Sequence, residues 1–185
     1  MNLLVIIDMI NGFVKEGALA DKRINLITPN IIKEIKEAED SQTPIWFFKD
    51  EHNKNDEEFK TYPPHCLKGS QESEIIEELK PYIPSMKVVG KTTTNSFITP
   101  EFKKLIKHQV FDKITVCGCC TDICIETFVI DLLKYIQEHH LKTEVLVHEN
   151  EVATFDGPTH QATKEHYIAL IRMQAKGTKL VLEGE

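Results

Sequence analysis

The chain has 185 residues, is 41% hydrophobic and carries a formal net charge of −7. That content supports one sizeable core, so residues 1–185 are read as a single domain. The acidic balance argues against nucleic-acid or anionic-membrane partners, which need surplus Lys and Arg, and leaves a small molecule or a protein. No apolar run reaches membrane-spanning length and no basic leader precedes the opening run, so a soluble, cytoplasmic protein is expected.

Leu3 to Ile7 is a continuous apolar run ending at Asp8, the pattern of a buried parallel strand. A loop with Gly12 and Gly17 leads to a helix with Thr28 as N-cap, Pro29 at its first position, and Ile31, Ile32, Ile35 and Ala38 on one side. The second strand is Pro44 to Phe48, closing at Lys49-Asp50. A polar loop, Glu51 to Thr61, then reaches Tyr62-Pro63-Pro64-His65, where paired prolines deny the backbone a helix. Glu72 to Lys80 reads as a short helix closed by Pro81, and Met86 to Gly90 as a third strand followed by Lys91. Thr99-Pro100 opens a helix with Phe102, Leu105 and Ile106 on its apolar side.

The fourth strand, Lys113 to Cys117, runs into Gly118-Cys119-Cys120-Thr121-Asp122-Ile123-Cys124 and a helix over Ile123 to His139. Thr143 to Val147, a helix over Pro158 to Ala175, and Thr178 to Leu182 complete the pattern; Glu183 to Glu185 reads as a frayed tail. This alternation predicts an α/β fold, a three-layer α/β/α sandwich around a mostly parallel six-stranded sheet.

Four of the five cysteines fall between Cys117 and Cys124, which suits reduced, chemically used thiols better than a disulfide frame. Their spacing matches no tetrahedral zinc set of Cys-x-x-Cys pairs. With Asp122 as N-cap, Cys124 sits one turn into a helix, where the dipole favours thiolate; it is the candidate nucleophile. The competing reading is that these cysteines pack as small hydrophobes.

Ligands of open parallel sheets bind beyond the carboxyl ends of the strands. Asp8, Asp50 with His52, Lys91, and Cys119 to Cys124 follow four different strands and so gather at one edge. Asp8 is either a strand-end turn residue or the base that takes the Cys124 proton. Lys91 is either a solvated lysine or a cation that favours the thiolate; Lys87 precedes the apolar part of its strand and fits less well. Asp50, His52 and His65, with Glu58 as a further oxygen, are either a polar loop or ligands for one divalent metal ion, zinc first, with manganese or iron(II) as alternatives.

The runs Leu4 to Phe13, Asp50-x-His52, Pro63-Pro64-His65, Lys91 with Asn95-Ser96-Phe97, and Gly118 to Cys124 resemble the isochorismatase-like cysteine hydrolases, and within them the nicotinamidases. The resemblance covers nearly the whole chain, with the motifs in the family's order, and implies a Rossmann-like hydrolase fold. It implies Cys124 as nucleophile, Asp8 as general base and acid, and Lys91 as electrostatic support. An oxyanion hole from the N–H groups of Cys120 and Cys124, and a metal on Asp50, His52 and His65 with Glu58 contributing, are implied in the same way. Phe13 and Tyr62 are the expected aromatic walls for a flat ring. Asn95 stands where nicotinamidases often carry an aromatic residue, and Cys119-Cys120 where aliphatic and small residues are usual.

The implied reaction is hydrolysis of nicotinamide to nicotinate and ammonia through a thioester, feeding NAD salvage. One alternative is the same chemistry on another small amide or a carbamoyl compound. A rival of another class is a non-catalytic thiol or metal sensor, which explains neither Asp8 nor Lys91. A homo-oligomer, with strand-end loops of a second subunit near the pocket, is compatible with the pattern.

Overall fold

The computed structural model describes residues 1–182, so the tail at 183–185 lies outside the described residues. Its strands are β1 (Asn2–Ile7), β2 (Ile45–Asp50), β3 (Met86–Lys91), β4 (Lys113–Cys119), β5 (Glu144–His148), β6 (Val152–Ala153) and β7 (Lys179–Val181). The sheet order is β3-β2-β1-β4-β5-β7, with β6 beside β4, and every pairing is parallel. The expected sandwich is present with seven strands rather than six, because β6 has two residues, too few to show a period.

The α-helices are α1 (Asn11–Val14), α2 (Thr28–Asp40), α3 (Pro100–His108), α4 (Glu126–Glu138) and α5 (Ala162–Ala175). Alternation along β1 sorts two cores. Leu3, Val5 and Ile7 face Phe102, Phe128, Leu132 and Met173 of α3, α4 and α5, whereas Leu4 and Ile6 face Ile31 and Ile35 of α2. The strands are apolar on both faces because both faces are covered by helices.

Several local expectations are corrected. The loop around Gly12 contains α1 and a 3-10 turn, Lys22–Ile27; Ile27 therefore takes the N-cap position of α2, and Thr28 is its first helical residue. Glu72 to Lys80 is not an α-helix. Gln71–Ser73 and Glu77–Ser85 are 3-10 segments, because Pro81 and Pro84 lack the N–H groups an i→i−4 ladder requires. The helix expected from Pro158 begins only at Ala162, after a turn over residues 157–160 in which Gly157 and His160 exchange backbone hydrogen bonds.

The parallel register puts β1 and β4 side by side, with Ile7 opposite Gly118. A Cβ at Gly118 would stand 2.0 Å from the Ile7 carbonyl oxygen, and the residue holds φ +117°. Only glycine allows both the left-handed backbone and the close approach. This contact aligns the end of β4, and hence the cysteine turn after it, with Asp8 at the end of β1.

Candidate active site

Asp8, Asp50 and Lys91 meet at the carboxyl edge of β1, β2 and β3. Asp8 leaves β1 with φ 57°, a bend that turns its side chain across the strand ends. Its Oδ1 accepts the Asp50 N–H at 3.0 Å, and its Oδ2 pairs with Lys91 Nζ at 2.7 Å. Lys91 also donates to Asp50 Oδ1. Lys91 is the last residue of β3, directly opposite Asp50 in the ladder. All three side chains are buried.

The ammonium stays charged: burial works against it, but Asp50 and then Asp8 raise its pKa well above the ordinary lysine value. Asp8 moves the other way. Burial, then the Asp50 charge, push its carboxyl up to about 7 even though Lys91 pulls it down.

Asp122 is not the N-cap of a regular helix. The Cys119–Cys120 peptide is cis, Cys120 takes the N-cap position of a π-turn over Thr121–Ile125, and α4 begins only at Glu126. Asp122 instead accepts a hydrogen bond from His160 Nε2 at 2.8 Å. The four cysteines separate into two uses. Cys117 and Cys119 are buried in the α2-side core, the latter donating its thiol to the Asp8 carbonyl at 3.1 Å, whereas Cys120 and Cys124 line the cleft.

The field at the helix start is outweighed at Cys124. Burial raises its pKa well above the ordinary thiol value; Lys91 opposes this, and Asp8, Asp50 and Cys120 add to it. Cys124 is therefore a thiol beside a carboxyl poised near neutrality. Such a pairing can pass the thiol proton to Asp8 as the sulfur reacts, without a standing thiolate.

Asp50 faces the other way as well. Its Oδ2 lies 3.5 Å from both His52 Nε2 and His65 Nε2. His65 Nδ1 is 2.8 Å from the Pro63 carbonyl, which only accepts, so the proton sits on Nδ1 and Nε2 presents its lone pair to the cage. His52 Nδ1 is held by Asp56 Oδ2 at 3.0 Å, and among the described residues its fully buried Nε2 has no hydrogen-bond partner.

Ligand atoms of Asp50, His52, Glu58 and His65 all lie within 4.8 Å of one another. The cage also favours positive charge. Burial works against a charged His52 ring, yet Asp50, Asp56 and Glu58 outweigh it and raise its pKa. An orphaned imidazole nitrogen, a carboxylate and a second imidazole in fixed tautomers fit a divalent cation, with Pro63 and Asp56 as the outer partners that orient the rings.

A cleft of about 280 Å³ connects the two groups. Phe13, Tyr62, Asp50, Glu58, His65, Cys120 and Cys124 line it, while Asp8, Lys91 and His52 are buried and are not part of its lining. The Phe13 and Tyr62 rings flank His65, with centroids 5.7 and 6.3 Å away. Asn95 is not a wall: its Oδ1 caps the turn at Phe97 N, and its Nδ2 bonds Asp131 on α4 at 2.7 Å.

Leu19, Thr94, Ile123 and Phe155 also line the cleft and did not stand out in the sequence. The one signal was the Phe155-Asp156-Gly157-Pro158 turn, an aromatic ring placed beside loop-forming residues. Phe155 stacks on His160 with centroids 4.0 Å apart, so the wall is tied through His160 and Asp122 to the cysteine turn.

Residues 2–179 match the Isochorismatase domain family. Nicotinamidase 1 of Arabidopsis thaliana is 29% identical over 96% of this chain and 84% of its own length. The pyrazinamidase/nicotinamidase of Streptococcus mutans superposes with a TM-score of 0.84 at 22% identity, covering 98% of this chain and 100% of that one. The pyrazinamidase of Pyrococcus horikoshii, solved in complex with zinc, gives 0.81 at 21% identity over 98% of each chain.

Proposed function

The chain belongs to the Isochorismatase domain family, and from that membership and the geometry of the cleft we propose that it is a metal-dependent nicotinamidase. It would convert nicotinamide to nicotinate and ammonia, a step that supplies NAD salvage in the cytoplasm. The observation that carries this reading is the double use of Asp50: one oxygen holds the lysine that pairs with Asp8, and the other faces two imidazole nitrogens. A thiol with its base and a ligand cage thus share one wall of a cleft that suits a flat heteroaromatic amide.

Bound on Asp50, His52 and His65, with Glu58 beside them, a divalent ion would offer a Lewis-acid point for the ring nitrogen of the substrate. Phe13 and Tyr62 would hold the ring faces and leave the carboxamide over Cys124. Asp8 takes the thiol proton as sulfur bonds to the amide carbon. The oxygen of the tetrahedral adduct is stabilised by the N–H groups of Cys120 and Cys124. Asp8 then returns the proton to the amide nitrogen, the C–N bond breaks, and ammonia leaves a thioester on Cys124. Asp8 next takes a proton from water as hydroxide adds to the thioester; the C–S bond breaks, Asp8 returns that proton to the sulfur, and the acid loses its own proton to solvent as nicotinate. Lys91 keeps its charge throughout and holds Asp8 in place.

Ammonia release from nicotinamide by the zinc-loaded protein tests this directly, with Cys124→Ala and a chelator-treated sample alongside. Release that both controls abolish supports the assignment. A loaded protein that releases none from nicotinamide but does so from another amide keeps the cysteine chemistry and overturns the substrate.

A further inference from the structure

A second group of metal-ligating side chains lies outside the cleft. Glu34 is midway along α2, His148 ends β5, and Glu151 follows in the 3-10 turn Glu149–Glu151. One ligand atom from each lies within 4.8 Å of the other two. The two elements are docked by a side-chain bond, Asn30 Nδ2 donating to the Asn150 carbonyl at 2.8 Å.

Glu151 is only 6% exposed, and among the described residues its Oε2 has no hydrogen-bond partner. A buried carboxylate oxygen without a donor is costly, and each such group in a folded protein calls for an explanation. Glu34 and His148 bring a second carboxylate and an imidazole to the same point.

We propose that Glu34, His148 and Glu151 form a second divalent-metal site, taking a first-row ion such as zinc(II) through two carboxylates and one imidazole. Mixed oxygen and nitrogen donors select such an ion over calcium, which prefers oxygen ligands alone. Glu34 is half-buried and also lines a surface groove with Asn2, Glu37 and Thr115, which gives a hydrated ion a route in. The bound ion fastens α2 to the end of β5. Its role is structural, since none of the three residues lines the cleft.

Chelator-stripped protein dialysed against zinc(II), then assayed for metal per chain, tests the site. The wild type is expected to hold one equivalent more than Glu34→Gln, and one more than Glu151→Gln, with ammonia release by Glu34→Gln unchanged. Zinc should also raise the thermal midpoint of the wild type more than that of Glu34→Gln. Glu151→Gln alters a buried position, so the half-buried Glu34→Gln, checked for native circular dichroism, carries the comparison. A folded Glu34→Gln protein that retains the full wild-type zinc content overturns the proposal. The outcome is independent of the cleft: if the Asp50 cage takes no zinc, the wild type holds one equivalent and Glu34→Gln holds none.

Discussion

Lys91 is a buried cation set between two buried carboxyl groups, Asp8 and Asp50. Removing it leaves Asp50 an uncompensated carboxylate in a low-dielectric site, where breaking a buried pair costs about 3–5 kcal/mol. Lys91→Met is therefore expected to lower the urea-unfolding free energy by about that amount, as well as abolishing ammonia release. Asp8→Asn should keep most of the fold, since it retains a side-chain acceptor for the Asp50 N–H, but it cannot take the thiol proton. Its turnover is expected to fall by about 10²–10⁴-fold with substrate binding largely preserved, measured as kcat against KM. A thiol or metal sensor would be indifferent to that change. Cys124 was legible as a candidate from its place after a strand, whereas the balance of forces on its thiol was not. The helix dipole is a property of the local turn, while the burial that raises the thiol pKa, with Asp8, Asp50 and Cys120 adding to it, comes from segments distant in sequence or from the packed fold.

At the scale of elements, the strand ends and the cysteine turn are held by contacts that single substitutions can probe. Gly118→Ala drives a Cβ into the Ile7 carbonyl at a left-handed position and is expected to cost about 2–4 kcal/mol, seen as an earlier urea midpoint. His160 clamps the cleft wall. Burial works against its charge, but the Asp122 hydrogen bond and the Phe155 carbonyl raise its pKa above the ordinary imidazole value. A raised histidine stabilises fully below the unfolded pKa and loses that contribution as pH rises through the folded one. The stability of the wild type should accordingly fall from about pH 6.5 upward through this group, and His160→Gln should flatten that slope in denaturation curves at several pH values.

Long periodic elements were legible in the sequence: β1 to β5, α2, α3 and α4 each carry enough residues for a period of two or 3.6 to show. The π-turn at 121–125, α1 and β6 were not, since each spans one turn or less and is fixed by tertiary contacts. Catalytic candidates were legible for the same reason, because they terminate readable strands. Phe155 and Leu19 were not, since their loops are positioned by bonds distant in sequence, such as Asp156 N–H to Asp21 Oδ2 at 2.8 Å.

For the whole molecule, the two proposed metal sites tie ion binding to stability. An ion that binds only the folded chain stabilises it by RT ln(1 + [L]/Kd), about 2.7 kcal/mol at a hundredfold excess over Kd. Chelation should thus lower the thermal midpoint as well as activity, and scanning calorimetry with and without zinc reads both cages at once. Among the described residues no helix is long and apolar enough to cross a membrane. The sheet explains how distant segments converge: residues 8, 50 and 91 are far apart in sequence, but parallel pairing delivers each to the same edge. That convergence has an evolutionary consequence. Because Lys91 pairs with carboxyl groups on two neighbouring strands, a lineage abandoning the proposed reaction cannot drop Lys91 or Asp50 singly without first weakening the fold. Loss of activity is expected to begin at Cys124, whose removal strands no charge, so inactive descendants should retain Asp50 and Lys91 long after the thiol has gone.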